Sequence, residues 1–116
     1  MALAGQYNIT LDQGATYSQL VTWKNSSGTL IDLTGWTARM QVRPLVKSAT
    51  SLIELTTENG RISLGGAAGT ITLTISATDT DDLPVGTYRY DLELVDGSTV
   101  ERLLMGSFTV RGEATR

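Results

Sequence analysis

Apolar and polar positions alternate with a period of two along most of this chain, the pattern of strands with one face buried and the other wet. The clearest case lies between Gly86 and Val110. Tyr88, Tyr90, Leu92 and Leu94 alternate with Arg89, Asp91 and Glu93, and a returning strand carries Val100, Leu104, Phe108 and Val110. Asp96-Gly97 between them tolerates the positive φ of a hairpin turn. A two-residue Asp96-Gly97 loop pairs Asp91 with Arg102 and Tyr90 with Leu103, but continued further it puts Phe108 in solvent. A β-bulge near Leu103 to Met105 repairs this, because one extra residue sends every later side chain to the opposite face.

The rest of the chain divides in the same way. Gln6 to Leu11 alternates through Tyr7, Ile9 and Leu11 and ends in an Asp12-Gln13-Gly14 turn. Thr16 to Trp23 predicts a strand whose inner face is either Tyr17, Gln19, Val21 and Trp23 or the parity of Leu20. A central position would bury both. Lys24 to Thr29 is a polar hairpin loop or corner. Trp36, Ala38, Met40 and Val42 then mark a strand that Pro44 ends, since proline has no amide to donate. Trp36 is placed either as a core residue or as a plug at one end of the body. Leu45 to Ser51 reads as a mobile loop, Leu52 to Thr56 and Arg61 to Leu64 as short strands around a turn at Glu58-Asn59-Gly60, and Thr70 to Ile75 as an aliphatic-faced strand. Ser76 to Leu83 holds the one expected helical turn, near residues 78–83, because Asp and Thr cap well and Leu83 can reach the core.

Composition narrows the chemistry. At 116 residues the chain is long enough for one domain burying about two thirds of its unfolded surface without metal or disulfide support. The absence of Cys and His removes thiolate chemistry, the usual general base and most zinc sites, so no enzyme, catalytic residue, cofactor or metal is expected. Nine basic residues scattered in a chain of net charge −3 argue against a nucleic-acid surface. No run approaches a membrane span, and the first residues lack the basic and apolar regions of a secretory signal, so a soluble protein made in the cytoplasm is expected.

Three local patterns invite functional readings. Gly65-Gly66-Ala67-Ala68-Gly69 lacks the Lys-Ser/Thr of a phosphate loop and precedes a strand, which makes it a flexible hairpin end. Asp79, Asp81 and Asp82 lack the later Gly and Glu of a calcium loop and are expected to cap and solvate. Arg39, Gln41 and Arg43 share an outer face that could meet an anion, with a solvated sheet face the simpler expectation.

Pro84-Val85-Gly86-Thr87-Tyr88-Arg89-Tyr90 resembles the start of strand F in immunoglobulin-like domains, where a Tyr closes the corner after strand E by hydrogen-bonding a nearby backbone group. Tyr90 stands where antibody domains carry their second disulfide Cys. More widely, four segments in succession resemble the small immunoglobulin-like virion proteins of tailed bacteriophages, similar to the N-terminal domain of the phage baseplate upper protein family. They are Tyr7-Asn-Ile-Thr with Gln13-Gly14-Ala15-Thr16, Asp32 to Arg43, Gly69 to Ile75, and Gly86 to Leu94.

The fold expected is an all-β, immunoglobulin-like antiparallel sandwich of about seven to nine strands with Greek-key connections. It spans residues 6–110, with an N-terminal arm at 1–5 and a C-terminal tail at 111–116 that read either as docking segments or as plain fraying ends. The resemblance implies a virion structural protein, an adaptor in the tail, baseplate or fibre-attachment region. Such a protein works in multiple copies in a symmetric assembly, contacts other virion proteins, and carries no catalytic residues. A capsid decoration protein is the alternative in the same particle. A carbohydrate- or receptor-binding module using Trp23 or Trp36 as a platform is the alternative of another class.

Overall fold

The computed structural model describes residues 5–44 and 52–112. Strands β1 (Gly5–Gln6), β2 (Ile9–Asp12), β3 (Tyr17–Thr22), β4 (Thr37–Arg43), β5 (Ile53–Thr56), β6 (Ile62–Leu64), β7 (Thr70–Ile75), β8 (Gly86–Asp96) and β9 (Thr99–Arg111) form two sheets. The larger runs β1-β9-β8-β4-β5, with β2 also on β9, and the smaller runs β3-β7-β6. The chain changes sheet between β2 and β3, β3 and β4, β5 and β6, and β7 and β8, giving Greek-key crossings. In immunoglobulin lettering the sheets are A-G-F-C-C′ and B-E-D, so the expected sandwich is the observed one.

Inward residues of the two sheets meet in one core. Met40, Val42, Leu92, Leu94 and Phe108 from the larger sheet face Ile62, Ile71, Leu73 and Ile75 from the smaller. The core ends close differently. At one, Ser76 caps the short helix α1 (Ala77–Asp81) by accepting from the Asp79 amide. The buried Thr80 hydroxyl lies 2.9 Å from the Ala15 carbonyl, and Gln13 Nε2 donates to the Leu83 carbonyl at 2.7 Å. Elsewhere Trp23 and Trp36 meet edge to face with centroids 5.5 Å apart, each half-buried. Trp36 therefore sits at the margin, matching the plug rather than the central core residue.

Several expectations need correction. The hairpin turns at Gly97-Ser98, with Asp96 paired to Thr99, so the register is shifted from the Asp96-Gly97 version. Gly97 has φ 59° and no described non-glycine residue has positive φ, the sign pattern of a type II′ turn. The predicted bulge is present: Leu92 pairs with Leu104 and Glu93 with Arg102, leaving Leu103 unpaired and Phe108 fully buried.

Strand β3 is an edge, not a central strand, with Tyr17, Gln19 and Val21 inward and Leu20 59% exposed. The first strand is interrupted at Tyr7-Asn8 and runs parallel to β9. A second helical turn, a 3-10 turn at Gly66–Ala68, joins β6 to β7 where a loose glycine end was expected. It is held by Leu33 N–H donating to the Gly66 carbonyl at 2.9 Å and Trp23 N–H donating to that of Gly69 at 2.8 Å.

Among the described residues the first strand starts at Gly5 and the last ends at Arg111, so each proposed arm overlaps a strand by one residue. The remaining arm residues, apart from the exposed Gly112, and the expected loop at 45–51 lie outside the described residues.

Candidate interaction site

Alternation in β4, β8 and β9 sends Arg39, Gln41 and Arg43, then Arg89, Asp91 and Glu93, then Arg102 to the outer face of the larger sheet. Cross-strand register brings opposite charges together. Arg39 Nε lies 2.8 Å from Glu93 Oε1, Arg102 Nη2 lies 3.8 Å from Glu93 Oε2, and Arg102 Nε lies 3.4 Å from Asp91 Oδ2. The Asp91–Arg102 pair expected from sequence thus forms on a diagonal, although the two residues are not directly opposite. Gln41 Nε2 donates to Glu54 Oε2 at 2.6 Å, and Arg43 donates to Gln41. The polar ladder crosses four strands.

Over this ladder lies a shallow depression of about 260 Å³, lined by Gln41, Arg43, Arg89, Asp91 and Arg102 among others. Burial raises the Asp91 carboxyl above its ordinary value, and the Arg102 guanidinium opposes the rise. Two carboxylates lining this depression, Asp91 and Glu93, invite an acid–base reading. Glu93 is bridged by two arginines and Asp91 is held by one, an arrangement that fixes charge rather than presenting a free proton carrier. Arg39, a candidate for anion binding, is likewise engaged by Glu93, so the anion reading loses one of its two cations.

The other sequence candidates separate. Asp79 pairs with Arg61 at 2.9 Å, and that hydrogen bond holds its carboxyl below the usual range; Asp81 and Asp82 are exposed. Among the described residues no group of His, Cys, Asp and Glu is placed to hold a metal ion. The glycine-rich turn spends its backbone on Leu33 and Trp23. Trp36 and Trp23 are half-buried and meet edge to face, so both are engaged in packing the margin of the core.

Tyr88 does close its corner, donating its hydroxyl to the Pro84 carbonyl at 2.8 Å. Periodicity missed a second tyrosine contact. Tyr90, 5% exposed, donates to the Tyr7 carbonyl at 2.6 Å across Gly106, its partner on β9. Burial pushes the Tyr90 hydroxyl pKa up, consistent with a phenol kept neutral as donor. The sequence carried no signal of it, because the two-residue turn pairs Tyr90 with Leu103 and only the observed register sets it opposite Gly106.

A second groove, of about 240 Å³, lies between the sheet margins and is lined by Gln6, Tyr7, Gln19, Leu20, Val21 and Leu104. Tyr7 and Leu20 are among the most exposed large hydrophobic residues, and the Tyr7 hydroxyl donates to Gln19 Oε1 at 3.1 Å. Among the described residues no helix is long and apolar enough to cross a membrane. No protein-family model matches the chain, and no curated protein matches it.

Proposed function

We propose that this chain is a structural protein of a tailed-bacteriophage virion, an adaptor in the tail, baseplate or fibre-attachment region acting through protein–protein contacts. The observation that carries the reading is the kind of surface the sandwich presents: a charged face laced with ion pairs, shallow grooves and open strand edges. These features suit recognition of other folded surfaces better than enclosure of a small substrate.

The four segments that resemble phage virion sandwiches support it further. They fall on the Tyr7-Asn8 break and the start of β2 with the turn after it, on the approach to β4 and its strand, on β7, and on β8. In a symmetric particle each copy repeats its contacts, so modest individual affinities combine into a durable assembly.

The test is to purify intact particles from the phage that encodes the chain, identify it by mass spectrometry, and locate it in an electron-microscopy map. Density in the tail or baseplate is the expected result. Density on the capsid would move the protein to the head, and absence from particles would reject the reading. Saturable glycan-array binding lost on Trp36→Ala, with the fold intact, would instead support a carbohydrate-binding module.

A further inference from the structure

The two sheets have four margins, and these differ in how well they resist pairing with another strand. Strand β6 has three residues and follows Arg61; β5 has four and carries Glu54. On the remaining margin the first strand is broken at Tyr7-Asn8, and β2 carries Asp12. Strand β3 has six residues, Tyr-Ser-Gln-Leu-Val-Thr, with no charge, proline or glycine. Among the described residues its sheet partner is β7 alone.

The direction of its free backbone groups follows from the ladder. Trp23 N–H donates to the Gly69 carbonyl in the register that continues the β3–β7 pairing. Groups facing a partner alternate along an antiparallel strand, so Tyr17, Gln19 and Val21 also point toward β7, and Ser18, Leu20 and Thr22 point to the open edge. The 3.1 Å bond from Gln19 Nε2 to the Leu20 carbonyl agrees, because that carbonyl is satisfied by a side chain rather than a neighbouring strand.

We infer that the open edge of β3 is a homodimer interface, at which two copies pair β3 to β3 in antiparallel fashion about a two-fold axis through Leu20. The strand is self-complementary in that register. Leu20 meets Leu20 of the second copy, Ser18 meets Thr22, and these outward-facing residues exchange about six backbone hydrogen bonds. No like charges come opposite one another, whereas an edge selecting a charged foreign strand would carry complementary charge. The apolar Leu20 side chain, 59% exposed, gains an apolar neighbour. The groove beside it, lined by Tyr7, Val21 and Leu104, gives the added strand further surface to cover. The smaller sheets join into one continuous sheet across the axis. This inference is independent of a virion location.

Sedimentation of the full chain from micromolar to millimolar concentration, with amide hydrogen exchange at both ends of the range, tests it. The expected result is a monomer–dimer equilibrium in which the Leu20 and Thr22 amides gain protection at high concentration. The Gln19 and Val21 amides, already bonded to β7, should be protected throughout. Leu20→Lys places like charges on the axis and should weaken association at least tenfold with the melting curve preserved. Leu20→Pro removes an outward N–H and should do the same, while Ser63→Lys on the far edge strand should not. A chain monomeric at millimolar concentration, or a dimer indifferent to Leu20→Lys, overturns the inference; the first result would leave the edge to a strand of another protein.

Discussion

Replacing Gly106 with Ala puts a methyl group where the N-terminal strand passes over β9. A Cβ at that position would lie 2.4 Å from the Tyr7 carbonyl oxygen and 2.9 Å from Asn8 Oδ1. The first contact is with backbone, so no side-chain rotation relieves it, and Tyr7 has to retreat by about 1 Å to reach ordinary contact distance. Three hydrogen bonds depend on that approach: Tyr90 hydroxyl to Tyr7 carbonyl at 2.6 Å, Tyr7 N–H to Met105 carbonyl at 3.0 Å, and Ser107 N–H to Asn8 Oδ1 at 3.1 Å. A 1 Å retreat stretches the first beyond about 3.5 Å and weakens the other two.

At about 1 kcal/mol net for each bond, Gly106→Ala should destabilise the protein by roughly 2–3 kcal/mol. For a domain of this size that lowers the melting temperature by about 10 °C. Urea unfolding with a two-state fit measures the change. A double-mutant cycle with Tyr90→Phe identifies the route: Tyr90→Phe should cost about 1 kcal/mol in the parent and almost nothing once Gly106→Ala has broken the same bond. An unchanged urea midpoint, or fully additive costs, would refute the reasoning.

Tyr88→Phe removes the hydrogen bond to the Pro84 carbonyl at an exposed corner and should cost about 0.5–1 kcal/mol, so an unaltered thermal melt would refute a stabilising corner. Asp79 is held below its ordinary pKa by Arg61. Its stabilisation is complete above the unfolded carboxylate value and lost as pH falls through the lower folded value, so Arg61→Met should flatten the acid limb of urea midpoint against pH. Asp91 shifts the other way, because burial raises its pKa and its ionised form opposes folding once the pH exceeds the unfolded carboxylate value. Asp91→Asn should therefore stabilise the protein at neutral pH, with the gain shrinking as the parent carboxyl protonates; a loss at pH 7 would show that Arg102 outweighs burial.

Strand positions were legible wherever one face is buried, because alternation then has a consequence. The Leu103 bulge could be deduced because Phe108 had to be inside, and it is fully buried. The turn was not fixed by the same logic. Moving it from Asp96-Gly97 to Gly97-Ser98 shifts each pairing by an even number of residues and leaves the faces unchanged, so the apolar pattern cannot distinguish the two.

Whether β3 is central or an edge was also hidden, since Leu20 and Val21 give both faces an apolar residue and only the sheet order decides. The break at Tyr7-Asn8 depends on Gly106, remote in sequence, and no local pattern carries that information. The charged residues of the outer face could be assigned to it in advance. Of their ion pairs only Asp91–Arg102 was foreseen, and the Arg39–Glu93 and Arg102–Glu93 contacts were not, because they rest on the cross-strand register.

These hidden features are causally connected. The Leu103 bulge puts Gly106 on the inner parity of β9, opposite Tyr90, where the absence of a side chain admits the Tyr7 carbonyl. Tyr90 fixes that carbonyl from the core side, and Ile9 and Leu11 then dock beside Phe108 and Val110 in parallel register. A first strand committed to β9 cannot also lie on β3, as it would in a sandwich whose A strand joins B. The open edge of β3 is thus a consequence of the bulge and the glycine rather than an isolated accident of the margin. It follows that Gly106→Ala, by loosening the first strand from β9, should also perturb pairing at β3, since Tyr7 both depends on Gly106 and donates to Gln19 beside that edge.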